Sequence, residues 1–342
     1  MNETSHILAT TTARMFAQHF TDDVIRESRS GAINMELWAV FEEAGLPLAL
    51  VDEEMGGFGI DPADALDLVQ ANGSYASPLP LAETMMANAF LARAGIPPRE
   101  GILTLATIDH GAVEESSISG TAYNVPWAGQ AREIVLVADG LVAVVPTNAV
   151  AMTAVPSISG LPRMTVTFDS APVESARADW ALGDHLMDMG ALLRSLEMAG
   201  ALVEIARMST DYANERVQFG RPIGKQQAIQ QQLAVLATQA AASCAASRMA
   251  SAAYGSSAAS HAIAIAKTRI GEAVGIGAGI AHQVHGAIGF TNEHRLQLLT
   301  RSLWSWRDEF GSEQIWSERI GRQVMSGGDE GFWPSITAFG VT

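Results

Sequence analysis

Apolar positions recur along this chain with two different periods. Over residues 22–29 and 35–44, from 62 onward, and through Arg93 after the Pro78-Leu79-Pro80 break, they return every three to four residues, which gives a helix one buried face. Gly45 ends the second run, and residues 50–59, with three glycines, read as a loop. From about residue 101 the period shortens. Residues 102–108, 134–138, 141–146, 149–155 and 164–168 are short, β-branched runs between turn residues, which predicts strands. From about 184 the helical period returns, and 187–215, 225–254, 256–284 and 292–306 predict four long helices, with a shorter one after Ser312. The chain therefore reads as α+β, mostly α. It has an N-terminal helical domain (1–100), a small middle β domain (101–183) and a C-terminal helical bundle (184–342).

Composition narrows the partners. With 342 residues, 48% of them hydrophobic, the chain can bury a large core in two or three domains. Only 17% are charged, and alanine and glycine are abundant, which suits close-packed helices and subunit contacts. The net charge of −16 argues against a nucleic-acid partner, because phosphate binding needs a basic face. An anionic ligand must find local arginines or lysines against that field. The one cysteine, Cys244, lies in an Ala/Ser-rich helical stretch and reads as packing. It excludes an internal disulfide or a Cys-rich metal site and fits a cytoplasmic setting. No apolar run is long enough for a bilayer, and the polar start Met1–His6 carries no signal-peptide pattern.

Residues 212–234 carry the most chemistry: a helix ending near Arg216, a Phe219-Gly220-Arg221-Pro222-Ile223-Gly224 turn, and a Gln-rich helix from about Lys225. Gly220 and Gly224 permit positive φ or close approach, and Pro222 stiffens the turn. A cation and an aromatic ring three residues apart at a helix–helix corner can hold a phosphate beside a flat ring.

This string resembles the flavin-binding signature of the acyl-CoA dehydrogenases. Residues 50–59 resemble that family's Gly-Gly loop, and 282–291, His-Gln-Val-His-Gly-Ala-Ile-Gly-Phe-Thr, its second flavin strip. Arg301 matches the basic residue ahead of the usual catalytic glutamate. The likeness spans essentially the whole chain. It implies an N-terminal helical domain, a middle β domain and a four-helix bundle through which subunits associate. It also implies FAD-dependent α,β-desaturation of an acyl-CoA thioester, with electron-transferring flavoprotein as the acceptor. A carboxylate takes the α-proton, acidified by hydrogen bonds to the thioester carbonyl, while the flavin takes the β-hydride. By the same resemblance Arg216, Phe219 and Gly220, with Gln283 and Gly286, face a flavin seated on the neighbouring subunit, and Gln227 matches the cofactor-binding Gln that follows the turn. Ser312 and Gln314 face the subunit's own.

The chain departs from the family pattern twice. Residues 105–114 keep little of the strand-loop that meets the flavin ring, and the strand that covers the ring is represented only by the 125–128 region. Phe310 stands where the catalytic glutamate is expected. Glu309, one residue earlier, is the candidate base; its alternative is a solvated ion pair with Arg307 or Arg301. Such erosion resembles the smaller subunits of heteromeric dehydrogenases that act on bulky, steroid-like or side-chain CoA thioesters. That implies a longer homologous partner, or otherwise a homo-oligomer. A non-catalytic partner subunit and a related flavin oxidase or monooxygenase are the alternatives. His282, His285 and His294 read as packing or phosphate contacts rather than metal ligands, Trp304, Trp306 and Trp316 as core, and Asp109-His110 as a turn.

Overall fold

The computed structural model describes residues 3–326 apart from 30, 139, 182 and 183. The chain forms two compact units, Met1–Met189 and Gly190–Thr342. The first opens with helices α1 (Glu3–His19), α2 (Asp22–Ser28), α3 (Met35–Glu43), α4 (Pro62–Gly73) and α5 (Leu81–Arg93). Their starts follow the capping rules. Asn34 accepts from the Leu37 amide at 2.9 Å, and Asp61 from Ala63 at 2.8 Å with Pro62 at the first helical position. An aromatic cluster of Phe16, Phe20, Phe41 and Tyr75 joins α1, α3 and the end of α4. The helix α1 was not legible in the apolar pattern, because its inward face carries Thr12 beside Phe16.

Helix α5 is buried almost all round, so it shows no amphipathic stripe. Thr84 ties it to the β region: its hydroxyl donates to Leu103 O at 3.1 Å and accepts from Leu103 N at 3.2 Å. Eight strands follow, β1 (Leu103–Ala106), β2 (His110–Val113), β3 (Ser117–Pro126), β4 (Glu133–Ala138), β5 (Leu141–Pro146), β6 (Ala151–Val155), β7 (Arg163–Pro172) and β8 (Glu174–Arg177). They make two four-stranded sheets, ordered β1-β4-β5-β8 and β2-β3-β7-β6, antiparallel except for β1 beside β4. Ile134, Leu136, Ala143 and Val145 of one sheet share a core with Ile118, Ala122, Val166 and Phe168 of the other. Sequence periodicity missed β2, β3 and β8. Strand β3 is polar, and its register with β7 shifts between Ile118 and Gly120 and again between Ala122 and Val125, so the two-residue alternation breaks.

The second unit holds most of α6 (His185–Glu215), then a two-residue hairpin β9 (Val217–Gln218) and β10 (Arg221–Pro222). Helices α7 (Gln227–Ala252), α8 (Ala259–His285), α9 (Leu296–Asp308) and α10 (Glu313–Ser326) follow. Small side chains at the buried positions, among them Ala199, Ala240, Ala262, Ala266, Ala273 and Ala278, let these helices approach closely, which accounts for the Ala-rich composition. Among the described residues no helix is long and apolar enough to cross a membrane.

Candidate functional site

At the end of α6 the chain reverses through the β9–β10 hairpin. Its two central residues, Phe219 at φ +52° and Gly220 at φ +78°, are both left-handed, as a type I′ turn requires. Glycine adopts that conformation freely, but a phenylalanine there costs about 1–2 kcal/mol. The Phe219 ring is 92% exposed, so the backbone strain holds an apolar ring in solvent. Around it stand Arg216, Arg221 and Lys225, all exposed, and no ion pair or side-chain hydrogen bond engages them among the described residues. In a chain of net charge −16 that is a local anion-attracting patch. Arg221 and Lys225 were not singled out by sequence reasoning, although their place in the turn string was the available signal. Gln227 is exposed in the first turn of α7.

The C-terminal end of α8 lies beside this hairpin. Val284 shares a small core with Ala213 and Ile223, and the His285 ring stacks on Tyr212 at 4.6 Å and 24°. The two sequence motifs therefore form one surface, with Gln283 and Gly286 exposed on it. Gly286 has φ +64° and ψ −146°, a conformation that essentially only glycine adopts, and the space where a Cβ would sit is open. The histidines are packing groups here. His285 Nδ1 donates to Ala281 O at 2.8 Å, and burial lowers its pKa despite that carbonyl. His282 is lowered for the same reason; it stacks on Phe290 at 4.2 Å and hydrogen-bonds Thr300 Oγ1 at 2.9 Å. Among the described residues no group of three potential ligands could hold a metal ion.

Glu309 lies at a different place, about 33 Å from Arg216 along α6, taking 1.5 Å per residue from Arg194. Its Oε2 accepts from Arg194 Nε at 2.7 Å and its Oε1 from Ser305 Oγ at 2.8 Å. The ion pair expected with Arg307 or Arg301 is not the one formed. Arg307 pairs with Glu313, and Arg301 donates to Gln297 Oε1 at 3.3 Å. Nor is the pair solvated: the side chains of Arg194 and Glu309 are 2% and 14% exposed. The true partner was beyond sequence reasoning because it lies 115 residues away. Arg194 also pairs with the buried Glu197.

The flanking residues are fixed as well. Phe310 is left-handed at φ +53°, its carbonyl accepts from Trp316 Nε1 at 2.9 Å, and its ring covers Gly190 so closely that a Cβ there would lie 2.3 Å from it. Lys267 is fully buried and donates to Trp306 O at 3.0 Å and Arg307 O at 2.7 Å, closing the C-terminus of α9. Burial lowers its pKa to about 7. Glu309, Asp308 and Glu313 oppose that shift, and Arg194 adds to it. Ser312 and Gln314 follow at the start of α10, half-exposed and exposed. Glu313 meets Gly271 of α8, about 18 Å along that helix from Gln283. The predicted cofactor residues thus fall into two separate groups on the second unit.

In the first unit, His110 opens β2 rather than lying in a turn, and Asp109 Oδ2 accepts from Tyr123 N at 3.0 Å. Trp127, in the region nearest the expected ring-covering strand, is itself buried at 2% exposure and presents no open face.

Comparison with known proteins supplies the family context. Residues 180–325 match the family model described as acyl-CoA dehydrogenase, C-terminal domain. The chain is 30% identical over 305 residues to acyl-CoA dehydrogenase IpdE2 of Mycolicibacterium smegmatis, covering 87% of this chain and 91% of that protein. Two solved structures share the fold. The Tcur3481-Tcur3483 steroid ACAD has a TM-score of 0.85 at 22% identity, over 95% of this chain and 98% of that one. The ChsE4-ChsE5 complex from Mycobacterium tuberculosis has 0.84 at 22% identity, with the same coverage.

Proposed function

The chain belongs to the acyl-CoA dehydrogenase family, and from that premise we propose that it is a subunit of an FAD-dependent dehydrogenase acting on a bulky, steroid-like acyl-CoA thioester. Its part is to complete a flavin site across a subunit interface. The observation that carries this reading is the single surface made by Arg216, Phe219, Gly220, Gln283 and Gly286. The residues fit the group. Unengaged cations suit a pyrophosphate, a solvent-held aromatic ring suits a flat heterocycle, and the open space at Gly286 allows backbone approach. Gln227 extends the same surface. Ser312 and Gln314 form the second group, which the family pattern directs at the subunit's own flavin position.

When bound, FAD would supply the acceptor for the β-hydride of the thioester, with an electron-transferring flavoprotein as the onward acceptor. The chain's own residues would hold and orient it: Arg216 by charge-assisted hydrogen bonds, Phe219 by its exposed apolar ring, Gln283 by its amide. The heteromeric form of this reading is favoured by two features. The β region lacks the ring-contacting loop and buries Trp127, and two solved relatives of the same fold are named as pairs of different chains. The lone cysteine and the acidic surface suit the cytoplasm.

Arg216→Ala removes a charge-assisted contact worth about 1.5–3 kcal/mol, roughly a ten- to hundredfold loss in FAD affinity. FAD retained per assembly after gel filtration measures this. Retention equal to the parent's counts against the assignment.

A further inference from the structure

We propose that the stacked rings of Tyr212 and His285, with His282 beside them, are a proton-sensitive brace: uncharged, they position the 283–290 strip against the hairpin, and protonated, they release it. The consequence for cofactor retention rests on the function proposed above, but the brace itself stands on contacts within the second unit.

The rings join the two motifs where each leaves its helix. Tyr212 lies in the last turn of α6, four residues before Arg216, and His285 is the last residue of α8, directly before Gly286. Their rings stack at 4.6 Å. The 286–290 turn folds back over both histidines. A Cβ on Gly289 would lie 3.1 Å from His285 Cβ and 3.3 Å from His282 Nδ1, so the backbone packs directly on the imidazoles. At the far end of the turn the Phe290 ring stacks on His282 at 4.2 Å. The apolar core that backs this junction is small, with Ala213, Ile223 and Val284 as its buried members.

Packing alone does not account for histidine at these positions. His285 is 3% exposed; its Nδ1 donates to Ala281 O, and its Nε2 is buried with no hydrogen-bond partner among the described residues. His282 likewise leaves Nδ1 buried and unpartnered while Nε2 meets Thr300 Oγ1. A phenylalanine would fill the same stacks without an orphaned polar atom. The bare nitrogen is where a proton lands, and there it makes a buried cation without an acceptor. Burial accordingly lowers the pKa of both rings, and His294 lowers both further; at His285 the Ala281 carbonyl opposes the shift and His282 adds to it. The titratable groups facing the pair are Tyr212 from α6 and His294 from the turn before α9, whose ring meets His285 edge-on at 4.9 Å. Arg295, next to His294, is paired with Glu204 of α6 at 3.5 Å. Among the described residues no carboxylate acts on either imidazole.

Acid therefore favours release. Above the ordinary imidazole value of 6.5 both rings are neutral whether the strip is held or free, and the brace is at full strength. Below it the free strip takes up protons that the braced strip does not. Holding then weakens by up to about tenfold per pH unit for each imidazole, until the lowered values are passed.

The test uses the flavin-loaded assembly, purified through a tag on this chain, between about pH 5 and pH 8. Amide hydrogen exchange of residues 283–290, corrected for the intrinsic pH dependence of exchange, reads the brace, with the buried middle of α6 as internal reference. The rate of FAD loss reads the consequence. From pH 8 to pH 5 both rates are expected to rise by about tenfold or more in the parent, while the reference does not change. His282→Phe combined with His285→Phe keeps the rings but cannot take the proton, and both rates should then vary by less than about twofold. His285→Phe alone, the milder change, should reduce the pH slope by about half. His285→Ala removes the stack and should raise exchange of the strip already at pH 8. A parental strip equally protected at both pH values overturns the proposal, as does a His285→Phe variant with the full parental slope. If exchange of the strip follows the expected pattern while FAD loss stays flat, the cofactor assignment of this surface fails and the brace stands.

Discussion

At the scale of single residues, Lys267 shows how much of this protein is decided by burial. Its ammonium lies among Arg194, Glu309, Asp308, Glu313 and two main-chain carbonyls, with no access to water. Its ordinary pKa of 10.5 falls to about 7 in the fold. Between those values the unfolded chain binds a proton that the folded chain does not, so this group makes stability rise with pH across that window. Below about pH 7 both states carry the proton and the folded state bears the full desolvation cost. Lys267→Met removes the titration. The stability difference between wild type and Lys267→Met, from denaturant unfolding at pH 6 and pH 9, should therefore be larger at pH 9. An equal difference at both values refutes the assignment. The residue was not legible in the sequence, where it is one lysine in an Ala-rich helix. The same is true of Arg194, whose role depends on a carboxylate 115 residues away.

At the scale of elements, the β9–β10 hairpin places strain where binding is proposed. Phe219 is left-handed and 92% exposed, so it contributes little to the isolated fold. Phe219→Asn introduces a residue that tolerates that conformation. Stability of the chain should be unchanged or higher by up to about 1 kcal/mol, while FAD retention by the assembly falls. Calorimetry and flavin absorbance test the two halves, and a destabilised variant with full retention contradicts the account. The elements themselves were legible where periodicity is long and unbroken. The expected start and stop of α5, and those of α6 to within two residues, agree with the structure. Periodicity failed where tertiary contacts replace it: the polar inward face of α1, and the bulged β3, whose partner β7 is some forty residues on.

At the scale of the whole molecule, the order helices, strands, helices and the mostly-α class were written in the apolar pattern, and the family in three motif strings. The spatial joining of residues 216–220 with 283–286 was not, because it depends on the Ala213–Ile223–Val284 core and the Tyr212–His285 stack. Among the described residues no side chain engages the cations of that joined surface, whereas at the corner after α9 Phe310 packs on Gly190 beneath Arg194. On the function proposed above, such a chain gives to a neighbouring subunit more than it keeps. Flavin-to-protein stoichiometry with native mass, for the chain alone and co-expressed with a longer homologue, tests it most directly. The expected result is a poorly flavinated or poorly soluble chain alone, and a yellow heteromer with fewer flavins than subunits. A homo-oligomer of this chain, carrying one tightly bound FAD per chain and dehydrogenase activity, would contradict it.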